Sequence, residues 1–157
     1  MLLHVGHAEM HPVTELLLYN ASRSQHVHEV ILPALSAGKV VLTDRFSDST
    51  LAYQGFGRGI DMKIIGTLDA IATDGLKPDL TILLDIDAET GLMRNRGANK
   101  VDRLELEDIE FHKKVRAGYH ELARREPDRI KLIDASGSVE EILQRVIEVV
   151  STMRGLS

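Results

Sequence analysis

Three short apolar runs, Val40–Leu42, Leu80–Leu84 and Ile130–Ile133, set most of what this chain can become. Runs of this length read as strands buried on both faces. Between them the apolar residues recur at helical spacing. Strands alternating with helices predict an α/β fold with a parallel sheet and right-handed crossovers. Three strands is few for a sheet covered by helices on both faces. The first run ends abruptly in Asp44 and Arg45, at the carboxyl end of a strand, where open α/β sheets hold their ligands. A carboxylate and a guanidinium at that place suggest a site for an anion and a cation. The plainer reading is an Asp-Arg pair opening an ordinary loop.

At 157 residues the chain reads as a single domain. A domain of this size buries roughly 70% of its unfolded surface and needs no staples. It has no Cys, which excludes disulfides and thiolate metal sites and fits a reducing compartment. No apolar run approaches the ~20 residues of a membrane span. The start lacks the basic and apolar regions of a signal peptide. A net charge of -5 argues against long-range attraction to nucleic acid or an anionic membrane, so any anion must be held by a local cluster of bases. His4, His7 and His11 read as solvated loop histidines rather than metal ligands, because no regular spacing or acidic partner accompanies them.

Pro12 suits the first turn of a helix that runs toward Gly38, with Pro33 breaking it into two pieces. Tyr19 and Arg23 lie four apart on one face. The ring and the guanidinium suit a base and a phosphate, although a core Tyr beside a surface Arg explains them equally well. After Arg45, Ser47 and Asp48 are good caps for a short helix that places Thr50, Tyr53 and Gln54 on one side. Residues 55–59 read as a flexible glycine turn. Asp61 caps the next helix, with Ile64, Ile65, Leu68, Ile71 and Ala72 inward and Gly75 as its stop. Asp85 closes the second strand and serves either as a structural residue or as a cap, a role Asp87 fills as well.

A helix from about Ala88 to Arg96 leads into Arg94-Asn95-Arg96-Gly97-Ala98-Asn99-Lys100-Val101-Asp102-Arg103. Four bases around a glycine fit a loop that orders on an anion, or simply a solvated charged loop. A helix through about Arg125 follows, with Leu106, Ile109, Phe111, Val115, Tyr119 and Leu122 as its apolar residues. Ser138 with Glu141 forms a capping box for a last helix.

From about Leu3 to Val149 the chain resembles the bacterial thymidylate kinase family of P-loop nucleoside monophosphate kinases. The resemblance rests on residues 14–27, Gly38 through Phe46, Asp48 through Gly55, Leu76 through Thr81, and Asp102-Arg103-Leu104-Glu105, in that order and spacing. It implies a P-loop kinase-type parallel sheet flanked by helices, over a single but incomplete domain at 1–157 with a lid near 94–103. Family members begin with a strand and a Gly-x-x-x-x-Gly-Lys-[Ser/Thr] loop, which matches nothing in these 157 residues and would lie upstream of Met1. The chain alone is therefore expected to show little or no kinase activity, and its exposed sheet edge to give marginal stability or association. The alternatives are a non-catalytic nucleotide-binding or dimerisation remnant, or another nucleoside or nucleotide kinase.

The resemblance implies transfer of the γ-phosphoryl of ATP to dTMP, giving dTDP, with Mg2+, in the cytoplasm, by a homodimer joined through helical faces such as 61–74 and the Tyr19 helix. Neither nucleic acid nor membrane is an expected partner. By the resemblance Arg45 clamps the monophosphate, Asp44 organises magnesium through water, and Arg96 reaches the transferred phosphoryl, with Arg94 and Arg103 as rivals. Tyr19 stacks on thymine, and Arg23 contacts base or phosphate. Thr50, Tyr53 and Gln54 read the thymine edge and sugar. Asp102 and Glu105 lie near the acceptor or its magnesium, and the turn containing Ala135 faces adenine.

Overall fold

The computed structural model describes residues 2–7, 9–97 and 102–153. Helix α1 (Pro12–His26) begins with Pro12 in its first turn and His11 Nδ1 accepting from the Val13 amide. It passes through a π-helical turn, Val27–Ile31, into α2 (Leu32–Ser36). The wider turn precedes Pro33, which has no amide hydrogen to donate back along the helix. The two expected pieces are thus joined end to end. Gly38, at φ 71°, closes the run.

The segment expected as a first strand is not one. Residues 39–43 have no regular secondary structure and lie outside the sheet, with Val40 75% and Leu42 97% exposed. An apolar run marks a tendency to be buried, whereas a strand also needs a neighbour for its backbone groups. The described residues give this run none. Among the described residues the sheet consists of β1 (Thr81–Asp85) and β2 (Ile130–Asp134), parallel and in register from Thr81 opposite Ile130 to Asp85 opposite Asp134.

Helix α3 (Ser47–Thr50) continues directly as a π-helix, Leu51–Gly57. This replaces the flexible turn expected at 55–59. The reason lies in packing against α6 (Ile109–Arg125). A Cβ on Gly57 would meet the Phe111 ring at 2.7 Å, and one on Gly118 would meet Phe56 at 2.6 Å. Glycine here permits close approach, and the buried contact outweighs its poor helix propensity. Ala52, Phe111 and Val115 form a core cluster with Tyr53 and Tyr119 against it.

Helix α4 (Met62–Thr73) is capped by Asp61, whose carboxylate accepts from the Lys63 amide at 2.7 Å, and packs on α1. Its inward set is narrower than expected. Ile65 and Ala72 are buried, but Ile64 and Ile71 are 54% and 69% exposed. Helix α5 (Ala88–Gly97) follows β1. Leu106 lies before α6 and is exposed, because the helix starts only at Ile109, capped by Asp108. Helix α7 (Val139–Ser151) has both bonds of the Ser138–Glu141 capping box. No described helix is long and apolar enough to cross a membrane.

Candidate active site

The chain turns sharply after residues 39–43. Arg45 adopts the left-handed conformation at φ 66°, unusual for a residue with a side chain. Its guanidinium lies 5.0 Å from the centre of the Tyr53 ring, at cation–π range, while the residue stays exposed. Tyr53 in turn meets Phe111 and Tyr119 edge to face. The Tyr119 hydroxyl shares a 2.8 Å hydrogen bond with Ser49 Oγ, and burial pushes its pKa up to about 12. A strained backbone, a stacked cation and an aromatic floor hold this arginine at the surface.

Beneath it, Arg23 is nearly buried. Its Nη2 donates to Thr50 Oγ1 at 2.6 Å and to the Phe46 carbonyl at 3.2 Å, and its Nη1 donates to Asp69 Oδ1 at 3.3 Å. Ser47 Oγ donates to the same Asp69 oxygen at 2.6 Å. Arg23 also lies over the Phe46 ring. The α1 helix and the segment 46–50 are thus tied together at the place where the Asp44–Arg45 turn emerges. Tyr19, one turn before Arg23, is half-buried. Burial raises its hydroxyl pKa and Glu15 adds to that, while Arg103 and Arg45 pull the other way.

Two expected contacts point elsewhere. Gln54 is 2% exposed and donates from Nε2 to Glu15 Oε1 at 2.7 Å. Arg103, also 2% exposed, bonds to Glu15 Oε2 and donates from Nε to the Leu2 carbonyl at 3.1 Å. Sequence reasoning missed Glu15, which is fully buried. Burial alone would raise its carboxyl pKa, but hydrogen bonds from Gln54, Arg103 and Arg58 hold it below its usual value. The available signal was spacing: Glu15, Tyr19 and Arg23 recur every four residues along one face of α1.

On the far side, Arg94 donates to the carbonyls of Ala135 at 2.9 Å and Ser136 at 3.2 Å. Two residues expected near ATP are thereby joined. The side chain of Arg96 and residues 98–101 of the expected lid lie outside the described residues.

Asp44 is exposed beside Arg45. Asp102 Oδ1 accepts from the Leu104 and Glu105 amides at 2.8 and 3.0 Å, and Glu105 accepts from Asn95 Nδ2 at 2.7 Å. These two carboxylates brace their own turn. Among the described residues no three His, Asp or Glu side chains converge as a metal cage. Magnesium needs no cage, since it takes one or two carboxylates with water and substrate phosphates. An exposed Asp44 next to the surface guanidinium of Arg45 fits that donor set.

Comparison with known proteins gives the family. The thymidylate kinase family model matches residues 1–146. A thymidylate kinase of Pelobacter propionicus is 50% identical over 153 residues, covering 94% of this chain and 70% of that protein. One from Syntrophotalea carbinolica is 47% identical over 152 residues, covering 93% and 70%. With a match over nearly its whole length and an Asp-Arg turn set on a buried arginine network, the chain belongs to the thymidylate kinase family of phosphotransferases.

Proposed function

We propose that residues 1–157 build the acceptor side of an ATP-dependent thymidylate kinase, which moves the γ-phosphoryl of ATP onto dTMP to give dTDP. Arg45 takes the monophosphate with its planar fork, which suits two phosphate oxygens at once. Tyr19 stacks on the thymine ring. Arg23 and Thr50, bonded to one another, set the polar edge against which the base is read. Tyr53 holds Arg45 from below. Asp44 orders magnesium through water. The chemistry such an ion would supply, when held there, is positive charge against the transferred phosphoryl group. Arg94, and by its place in the sequence Arg96, serve the donor side with the Ala135 turn.

The observation that carries this reading is the placement of Arg45 over Tyr53 beside the Arg23–Thr50 bond. Phosphoryl transfer depends mostly on positioning and on charge stabilisation, and this cluster fixes charge at a surface. The test is calorimetric titration with dTMP, thymidine, dUMP and dCMP. We expect dTMP to bind tightest, and Arg45→Met to weaken dTMP at least tenfold while leaving thymidine unchanged. Equal affinity of parent and variant for dTMP overturns the assignment.

The same proposal covers a single kinase domain, a cytoplasmic location and a homodimer. Val13 and Leu17 on α1 and Ile64 and Ile71 on α4 are exposed apolar residues on two helices that pack together, which supports a helical dimer face. Sedimentation of the parent against Leu17→Lys/Ile71→Lys reads that face directly.

A further inference from the structure

Glu15 is the meeting point of three separate segments. Its carboxylate, fully buried, takes Gln54 Nε2 at 2.7 Å, Arg58 Nε and Nη2 at 3.4 and 3.3 Å, and Arg103. Arg58 also donates to Glu107 Oε1 at 2.6 Å and lies over the Phe111 ring at 4.6 Å. Two carboxylates and two guanidiniums make a closed, neutral cluster. It joins the start of α1, the π-helix that follows Thr50, and the turn 102–107. Breaking one member leaves a buried charge without its partner.

Its location gives the cluster a use beyond stability. Glu15 lies one helical turn before Tyr19 and two before Arg23 on the same face of α1. Arg103 lies in the turn that Asp102 closes by accepting from the Leu104 and Glu105 amides, and its bond to Glu15 brings that turn against α1. We propose that Glu15 is a positioning residue for the acceptor. By gripping Arg103 it docks the turn 102–107 onto the face of α1 that carries Tyr19 and Arg23, and so fixes the ring on which the acceptor base rests. Glu15 and Arg103 are too buried to touch a nucleotide in this arrangement, and they act through Tyr19. The inference rests on the acceptor site proposed above.

Glu15→Gln removes the charge but keeps the shape. Arg103→Lys keeps the buried carboxylate neutralised and so remains folded even where Glu15→Gln does not, but it loses the guanidinium fork. Binding of dTMP is measured by calorimetry well below each variant's Tm. We expect Arg103→Lys to weaken dTMP at least fivefold, Glu15→Gln at least tenfold, and the double variant no more than Glu15→Gln alone. A merely structural cluster lowers Tm and leaves the affinity of the folded protein unchanged. Arg103→Lys binding dTMP within twofold of the parent overturns the inference while leaving the acceptor site intact. Failure of the parent to bind dTMP overturns both.

Discussion

Arg23 and Thr50 stand 27 residues apart and meet in a 2.6 Å hydrogen bond that closes α1 onto the helix following Arg45. Thr50→Val removes the acceptor but keeps the branch, leaving Arg23 Nη2 with the Phe46 carbonyl alone. A hydrogen bond to a charged group contributes about 1.5–3 kcal/mol. We expect chemical denaturation to register a loss near the lower figure. In titration, dTMP affinity should fall about tenfold, equivalent to about 1.4 kcal/mol. Unchanged affinity removes this pair from the acceptor site.

Asp48 and Arg129 form a second buried clamp, at the amino ends of the two strands. Arg129 donates to both Asp48 oxygens, at 2.7 and 2.8 Å, and Thr81 Oγ1 adds a third bond at 2.7 Å. Arg129→Met strands a buried carboxylate, which costs about 3–5 kcal/mol. Urea denaturation should show a loss of that size, with Arg129→Lys recovering part of it. A loss under 1 kcal/mol would mean that water reaches Asp48 freely.

At the carboxyl end of β1, Asp85 accepts from Arg116 at 2.8 and 2.9 Å and lies 2.9 Å from His120 Nε2. Arg116 holds the carboxyl at about 2, below its ordinary 3.8. A depressed folded-state pKa gives stability that is complete above the unfolded value and lost as pH falls. The Tm should therefore decline between about pH 4 and pH 2. Asp85→Asn should flatten that part of the curve, and an identical acid limb in the variant would contradict the assignment.

Gly118 faces Phe56 so closely that a methyl group would meet the ring at 2.6 Å. Gly118→Ala gains helix propensity of about 1 kcal/mol but forces the ring aside, at about 1–3 kcal/mol. Thermal melting should show net destabilisation. A higher Tm would mean that the π-helix 51–57 yields easily.

What the sequence revealed depended on how local its cause was. The Ser138–Glu141 box, the Asp61 cap and the helix stop near Gly75 are decided within a few residues and were legible. So were β1 and β2, which pair with each other. Val40–Leu42 has the same apolar character, but a strand depends on a neighbour that no single run encodes. Gly57 read as flexibility because its partner Phe111 lies on another helix. Glu15 was not singled out, since its burial depends on Arg58 and Arg103, 43 and 88 residues away. The Asp44–Arg45 turn was visible at once, but its backing by Tyr53 and by Arg23 required the fold.

Arg94 reaches 41 and 42 residues ahead to grip two successive carbonyls. A guanidinium latched onto main chain rather than onto another side chain transmits displacement of backbone directly. Helix α5 and the turn after β2 therefore behave as one mechanical part. A tilt of α5 must therefore either carry the Ala135 turn with it or break these two bonds.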